Sequence, residues 1–239
     1  MKRGNHIAIF DTFKTHHAKS TREAKRQRGI IAHIAIEKDP KGKTRTAIAH
    51  ILAKKYDIAW QNIYSAIFKD LDEVLLPAQV VKEGGRLPIK RGPKALQMEG
   101  IPYYDLTNIG LIIASTIEET GDIRIRMKLL ESYISNSNYN KKEDSDINTN
   151  NTNNTNNTTI NEGILLLSRY APSFILKLIS EYIMAYNHGE IEKLDRLDGQ
   201  KLKKVISDQI TIERELVEAC MILSNDKKEL LRNFIKIIS

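Results

Sequence analysis

The stretch Arg86–Gly110, RLPIKRGPKALQMEGIPYYDLTNIG, contains the pattern that decides the fold of the first half of the chain. Two short segments of extended character flank a loop rich in Gly and Pro, which is typical of a surface turn. Lys90, Arg91 and Lys94 give this loop a concentrated positive charge. Thr107 follows the second segment and is a favourable N-cap, so we predict a basic β-hairpin that leads directly into a helix.

Positive charge is concentrated in the first half of the chain. The formal net charge is +7, but residues 1–128 hold 23 Lys and Arg against 14 Asp and Glu, whereas residues 129–239 hold 14 against 16. This asymmetry favours a polyanionic partner for the first half, with an ordinary solvated basic surface as the alternative. We interpret residues 1–20 as a basic N-terminal arm.

The composition also bounds the class of protein. Cys220 is the single cysteine, which excludes an internal disulfide and favours a reducing compartment. No apolar run approaches the roughly 20 residues that a membrane helix requires, and the N-terminus does not contain the apolar segment of a secretion signal. We therefore predict a cytoplasmic protein without membrane association.

Two short helices are predicted before the hairpin. Thr44 is placed to cap the first, and the second is predicted over residues 59–71. The short connection between them is typical of a helix-turn-helix, although an ordinary helical hairpin has the same pattern. Amide, hydroxyl and basic side chains bond to base edges and phosphates. The candidate base-reading residues are Gln61, Asn62, Tyr64 and Ser65, and the candidate phosphate contacts are Lys43, Arg45, Lys69, Lys90, Arg91 and Lys94.

The order of predicted elements, three helices, a basic hairpin and a further helix, is the strongest indication of function. Ser20 and Glu23 fit a capping box for the first helix, and residues 108–119 are predicted to form the helix after the hairpin. The segment Tyr104–Gly110 is similar to the Y-x-L-T-x-x-G signature that follows the wing in several families. Residues 28–120 thus resemble a winged helix-turn-helix domain of prokaryotic, including archaeal, transcription regulators.

The resemblance implies roles for individual residues. Leu106 would fill the core, Thr107 would cap the following helix, and Gly110 would permit close packing. Helix 59–71 would enter the major groove of DNA, and the hairpin 86–104 would be the wing that contacts backbone or minor groove.

The remainder of the chain is predicted to be helical after a linker. We expect the winged helix-turn-helix domain to occupy residues 21–135. Residues 136–161 are rich in Asn and Thr and cannot bury enough apolar surface to offset the entropy of ordering, so we predict a disordered linker. Residues 162–239 are predicted to form a C-terminal helical bundle with homodimerisation as its preferred role, a monomeric bundle or a protein-docking module being the alternatives.

Catalytic and metal-binding patterns are weak in this sequence. The histidines show no ligand spacing with cysteine. Asp70, Asp72 and Glu73 lie close together at a predicted helix end, where we expect them to be solvated. We therefore predict no enzymatic activity, no catalytic residue, no metal site and no cofactor.

These observations predict a double-stranded DNA-binding protein, with transcription regulation as the preferred role. The fold class expected is mainly α with a small β-hairpin wing, a winged helix-turn-helix domain followed by a helical bundle. Two alternatives remain open. One is a winged-helix scaffold for protein–protein interaction, and the other is a DNA-binding protein of replication or plasmid maintenance.

Overall fold

The computed structural model describes residues 21–88, 100–143, 151–194, 197–206 and 214–238. Within these ranges the chain is mainly helical and contains one two-stranded antiparallel sheet, as the sequence predicts. Contacts between residues divide the chain into two compact units, Met1–Gly121 and Asp122–Ser239. The predicted basic arm, residues 1–20, lies outside the described residues.

The first unit contains four α-helices and the sheet in its described part. Its elements are α1 (Arg22–Ile36), a 3₁₀ turn (Pro40–Lys43), α2 (Arg45–Tyr56), α3 (Trp60–Lys69), a π-helical turn (Asp70–Leu75), β1 (Val81–Leu87), β2 (Ile101–Leu106), α4 (Asn108–Thr116) and a 3₁₀ turn (Glu118–Thr120). The helix predicted over 59–71 therefore continues as a π-helical turn. Pro77 follows that turn, and its missing N–H prevents the helix from extending further.

Threonine residues are the N-caps of three of these helices. Thr21, rather than the predicted Ser20, caps α1, because its hydroxyl accepts the Ala24 N–H at 2.9 Å. Thr44 and Thr107 cap α2 and α4 as predicted, each accepting the N–H three residues later, at 3.3 and 3.1 Å. Each cap satisfies a backbone donor that the helix itself leaves unpaired, which is worth about 1 kcal/mol.

The core of the first unit is aliphatic and drawn from all four helices. Its fully buried side chains recur at helical spacing and include Ile30, Ile31 and Ile34 of α1, Ile48 and Leu52 of α2, Ile67 of α3, and Ile112 and Ile113 of α4. Burying a side chain of this size stabilises the fold by about 1.5–3 kcal/mol, so this cluster is what positions α3.

The hairpin is joined to the segment before α2 through β2. Val81 pairs with Leu106, and a bulge interrupts β1 near Gly84. An isolated antiparallel bridge joins Thr44, the residue before α2, to Tyr103 of β2. Backbone pairing therefore links the segment before α2 directly to the hairpin.

Close packing at Gly110 sets the position of α4. A Cβ atom at Gly110 would collide with the carbonyl oxygen of Val80, which also accepts the Thr107 N–H at 3.1 Å. The role that the resemblance assigns to Gly110 agrees with this contact. Leu106, expected in the core, is only half-buried, and Tyr104 is the β2 side chain that is completely buried.

The second unit is helical throughout its described elements. These are α5 (Ile123–Glu143), α6 (Asn151–Tyr170), α7 (Pro172–Asn187), α8 (Gly199–Ile206), α9 (Arg214–Ile222) and α10 (Asn225–Ile238). Its core combines Ile160, Ile164 and Leu167 of α6 with Ile175, Ile179 and Tyr182 of α7 and with Phe234 of α10. None of the helices in the described ranges has both the length and the apolar character needed to cross a membrane.

The two units meet in the chain at Gly121, so α5 lies in the second unit. The expected winged helix-turn-helix domain, residues 21–135, extends past this division. Of the predicted linker 136–161, the described residues lie at the end of α5 and in the first half of α6.

Candidate nucleic-acid interface

The polar face of α3 carries four of the predicted contact residues. Ile63 and Ile67 are buried, 6% and 0% exposed, and they fix which side of α3 faces the core. Because a helix repeats every 3.6 residues, the remaining positions turn toward solvent. The exposed residues of this face, which we call the polar face, are Gln61, Asn62, Ser65 and Lys69. Tyr64, also predicted as a base-reading residue, is half-buried.

An aromatic row lies beside the polar face. Trp60, Tyr64 and Phe68 follow one another at four-residue spacing, with ring centres 5.6 and 6.2 Å apart. Trp60 and Phe68 are 37% and 40% exposed, a large fraction for such rings. His50 of α2 packs against Trp60 at 4.9 Å. Sequence reasoning missed this row, although the four-residue spacing of three aromatic residues was a readable signal.

Arg45 connects α2 to both neighbouring elements. Its guanidinium lies over Phe68, 4.0 Å from the ring centre, and 5.5 Å from the centre of the Tyr104 ring. It also forms an ion pair with Asp72 in the turn after α3. With 23% of its side chain exposed, Arg45 is committed to contacts within the protein rather than extended into solvent.

The other basic residues predicted to contact phosphates differ in exposure and in ion pairing. Lys43 Nζ lies 2.7 Å from Asp105 Oδ1, and its side chain is 14% exposed. Lys69 is 69% exposed and lies 3.8 Å from Glu73, a surface pair of the kind that contributes little. Lys90, Arg91 and Lys94 lie outside the described residues. For Lys43 and Arg45, contact with a phosphate would require exchange of a carboxylate partner.

The three acids after α3 differ in exposure, and Asp70 is the buried one. Asp70 is 2% exposed and accepts two hydrogen bonds from Arg26 of α1, one of them at 3.0 Å from Nη2. The expectation that Asp70 is solvated is therefore wrong, because the guanidinium supplies the donors that water would otherwise provide. In the ranges that the structure describes, no three His, Cys, Asp or Glu side chains are grouped so as to hold a metal ion.

Tyr104 is the residue at this site whose pKa is shifted. Burial raises the pKa of its hydroxyl above the ordinary value, and the nearby Arg45 opposes part of that shift. The hydroxyl oxygen has no hydrogen-bond partner of ordinary geometry within the described part of the chain. Tyr104 is therefore a packing residue beneath Arg45 rather than a group that exchanges protons.

Three features of the first unit bear on function: the polar face, the aromatic row, and the attachment of the hairpin to the segment before α2. No protein-family model, curated protein or solved structure matches the chain.

Proposed function

We propose that the first unit binds double-stranded DNA and that the protein acts as a transcription regulator. The observation that carries the proposal is the solvent exposure of Gln61, Asn62 and Ser65 on one face of a short, well-anchored helix. Asn and Gln make paired hydrogen bonds with the N6 and N7 groups of adenine, and Ser bonds to any base edge. The major groove is wide enough to admit an α-helix that presents such side chains.

The hairpin gives the proposal a second point of contact with DNA. The bridge between Thr44 and Tyr103 ties β2 to the start of α2, so a wing would be held at a set distance from α3. Lys90, Arg91 and Lys94 would then bring positive charge to the phosphate backbone. Lys43 and Arg45 are paired with acids. Most of the positive charge that would meet DNA phosphates therefore comes from Lys69, Lys90, Arg91 and Lys94.

Binding of the full chain to a fluorescent duplex of random sequence tests the proposal directly. Affinity should fall steeply as salt rises, and Lys69→Ala should reduce the slope of log K against log salt by about 1. The double variant Arg91→Ala and Lys94→Ala should weaken binding to all sequences. Asn62→Ala should instead relax the preference at one position of a site obtained by in vitro selection. Absence of binding at low salt would refute the proposal.

Two copies of the chain would read a symmetric site. We propose that residues 162–239 mediate homodimerisation, because regulators that bind palindromic sites need two recognition helices at a set separation. Sedimentation equilibrium of the full chain reports the oligomeric state, and the spacing of half-sites in the selected DNA reports it independently. A monomer that selects a single, unrepeated half-site would contradict this part of the proposal.

A second candidate function is suggested by apolar exposure near α3. Ile51, Ile58 and Trp60 are 41%, 45% and 37% exposed, which favours a docking surface for another protein. A winged-helix scaffold would show no affinity for duplex DNA at low salt. A replication or plasmid-maintenance protein would bind duplex DNA as a regulator does, and the location of its sites at an origin would separate the two.

A further inference from the structure

We propose that the aromatic row of α3 contacts the C5-methyl groups of thymine and thereby selects A·T-rich duplex sites. This inference rests on the proposed binding of duplex DNA and adds a determinant of sequence preference. It concerns Trp60, Tyr64 and Phe68, whereas the sequence-based candidates rest mainly on hydrogen-bonding side chains.

The rings of the row are presented on a rigid support. His50 packs against Trp60, and the Arg45 guanidinium covers part of Phe68, so both ends of the row are braced by α2. Trp60 and Phe68 nevertheless remain 37% and 40% exposed as residues. Burying rigid, water-exposed apolar surface against another apolar group favours binding, because little conformational entropy is lost.

The neighbouring polar face identifies the apolar group that this surface would meet. Tyr64 lies three residues after Gln61 and Phe68 lies three residues after Ser65, and residues at this spacing are neighbours on a helix surface. In the major groove an A·T pair presents the adenine N6 and N7 groups together with the thymine methyl group. A helix that carries an amide side chain such as Gln61 beside an aromatic row can therefore contact both bases of one A·T pair.

The arrangement of the rings favours a duplex over a single strand. Single-strand binding proteins offer open aromatic faces on which successive bases stack. Here Trp60 and Tyr64 meet edge-on, with an interplanar angle of 84°, and Tyr64 and Phe68 are tilted by 51°. Arg45 also occupies one face of Phe68. The exposed surface thus suits contact with small methyl groups better than stacking of bases.

The decisive experiment compares two duplexes that differ only in methyl groups. The full chain is titrated into an A·T-rich duplex and into the same duplex with every thymine replaced by uracil. Loss of each contacted methyl group should weaken binding about fourfold, as expected for exposing one methyl-sized apolar group. Trp60 is the single tryptophan of the chain, so its emission reports on the row alone. Acrylamide should quench it less strongly when the thymine duplex is bound.

Variants show whether the row causes the difference. Trp60→Ala and Phe68→Ala should shrink the ratio of thymine to uracil affinities, whereas Ile36→Ala, which removes an exposed aliphatic residue of α1, should leave the ratio unchanged. Circular dichroism checks that each variant folds, and the thymine-to-uracil ratio of the unaltered chain stands even where one does not.

Three results would each be decisive against this inference. Equal affinity for the thymine and uracil duplexes would overturn the methyl contact alone and leave duplex binding intact. Tighter binding to a single strand than to its duplex would show that the rings stack on bases instead. Failure to bind either duplex at low salt would overturn the proposed function itself.

Discussion

Arg45 stacks over Phe68, with the guanidinium carbon 4.0 Å from the centre of the ring. The same side chain pairs with Asp72 and borders the buried ring of Tyr104. A cation over an aromatic face contributes about 0.5–2 kcal/mol, depending on how far it is desolvated. Because these contacts come from α3, the following turn and β2, one residue of α2 holds the parts of the candidate interface in a single arrangement.

Replacing Arg45 with Ala should destabilise the first unit by about 2 kcal/mol, since both the stacking contact and the ion pair are lost. Arg45→Lys should recover only part of this, because an ammonium group cannot stack and bond in the same geometry. Urea denaturation followed by Trp60 emission reports on the first unit. The salt dependence of DNA binding should be the same for Arg45→Lys as for the unaltered chain. If Arg45→Ala instead changed the slope of log K against log salt by about 1, Arg45 would contact a phosphate directly.

Asp70→Asn should cost about 3 kcal/mol, because it removes one charge of a pair in which the carboxylate is almost wholly buried. Glu73→Gln is the matched control, since its pair with Lys69 is largely exposed, and it should change stability by less than about 0.5 kcal/mol. Both are measured by urea denaturation at neutral pH. Equal effects of the two substitutions would contradict the structural role of Asp70.

Gly110→Ala should destabilise the first unit by about 2 kcal/mol or more, because the added Cβ meets the carbonyl oxygen of Val80. In an ordinary helix the same change stabilises by about 0.5–1 kcal/mol, so the sign of the effect is diagnostic. Thr107→Ala provides the comparison at the same helix start and should cost about 1 kcal/mol through loss of the cap. A stabilising Gly110→Ala would show that α4 does not pack closely at this point.

Tyr104 should make stability fall at high pH. Its folded-state pKa is raised above the unfolded value of about 10, so the unfolded chain releases the proton more readily as pH rises past that value. The stability present below about pH 10 is therefore lost above it. Tyr104→Phe should flatten this fall only in part, because burial also raises the pKa of Tyr56. Thermal unfolding of the unaltered chain and of Tyr104→Phe, each measured at pH 8 and above about pH 10, gives the comparison.

Tyr104→Phe should have little effect on stability at neutral pH, within about 1 kcal/mol, because the hydroxyl it removes is buried without an ordinary hydrogen bond. Tyr104→Ala is the contrasting change and should cost about 3–5 kcal/mol by leaving a cavity beneath Arg45. If Tyr104→Phe proved as costly as Tyr104→Ala, the hydroxyl would be making a bond that this geometry does not contain.

Local signals in the sequence were sufficient for the order of elements and for several of their ends. Thr44 and Thr107 were identified as caps because an N-cap depends on a side chain and a backbone group only three residues apart. The hairpin was identified from turn residues between extended segments, for the same reason. The polar face of α3 followed from the helical period, once Ile63 and Ile67 were recognised as its apolar side.

Local sequence patterns thus predicted the four helices of the first unit, a hairpin between the third and the fourth, and the polar side of α3. The strands of that hairpin extend beyond the predicted 86–104, to Val81 at one end and Leu106 at the other. Tertiary structure alone decided that Asp70 is buried with Arg26, that Arg45 stacks on Phe68, and that Lys43 pairs with Asp105. Helix periods and caps depend on neighbours in the chain, and so they can be read in order. Ion pairs between residues 44 or 62 positions apart depend on how the elements pack, which no local pattern specifies.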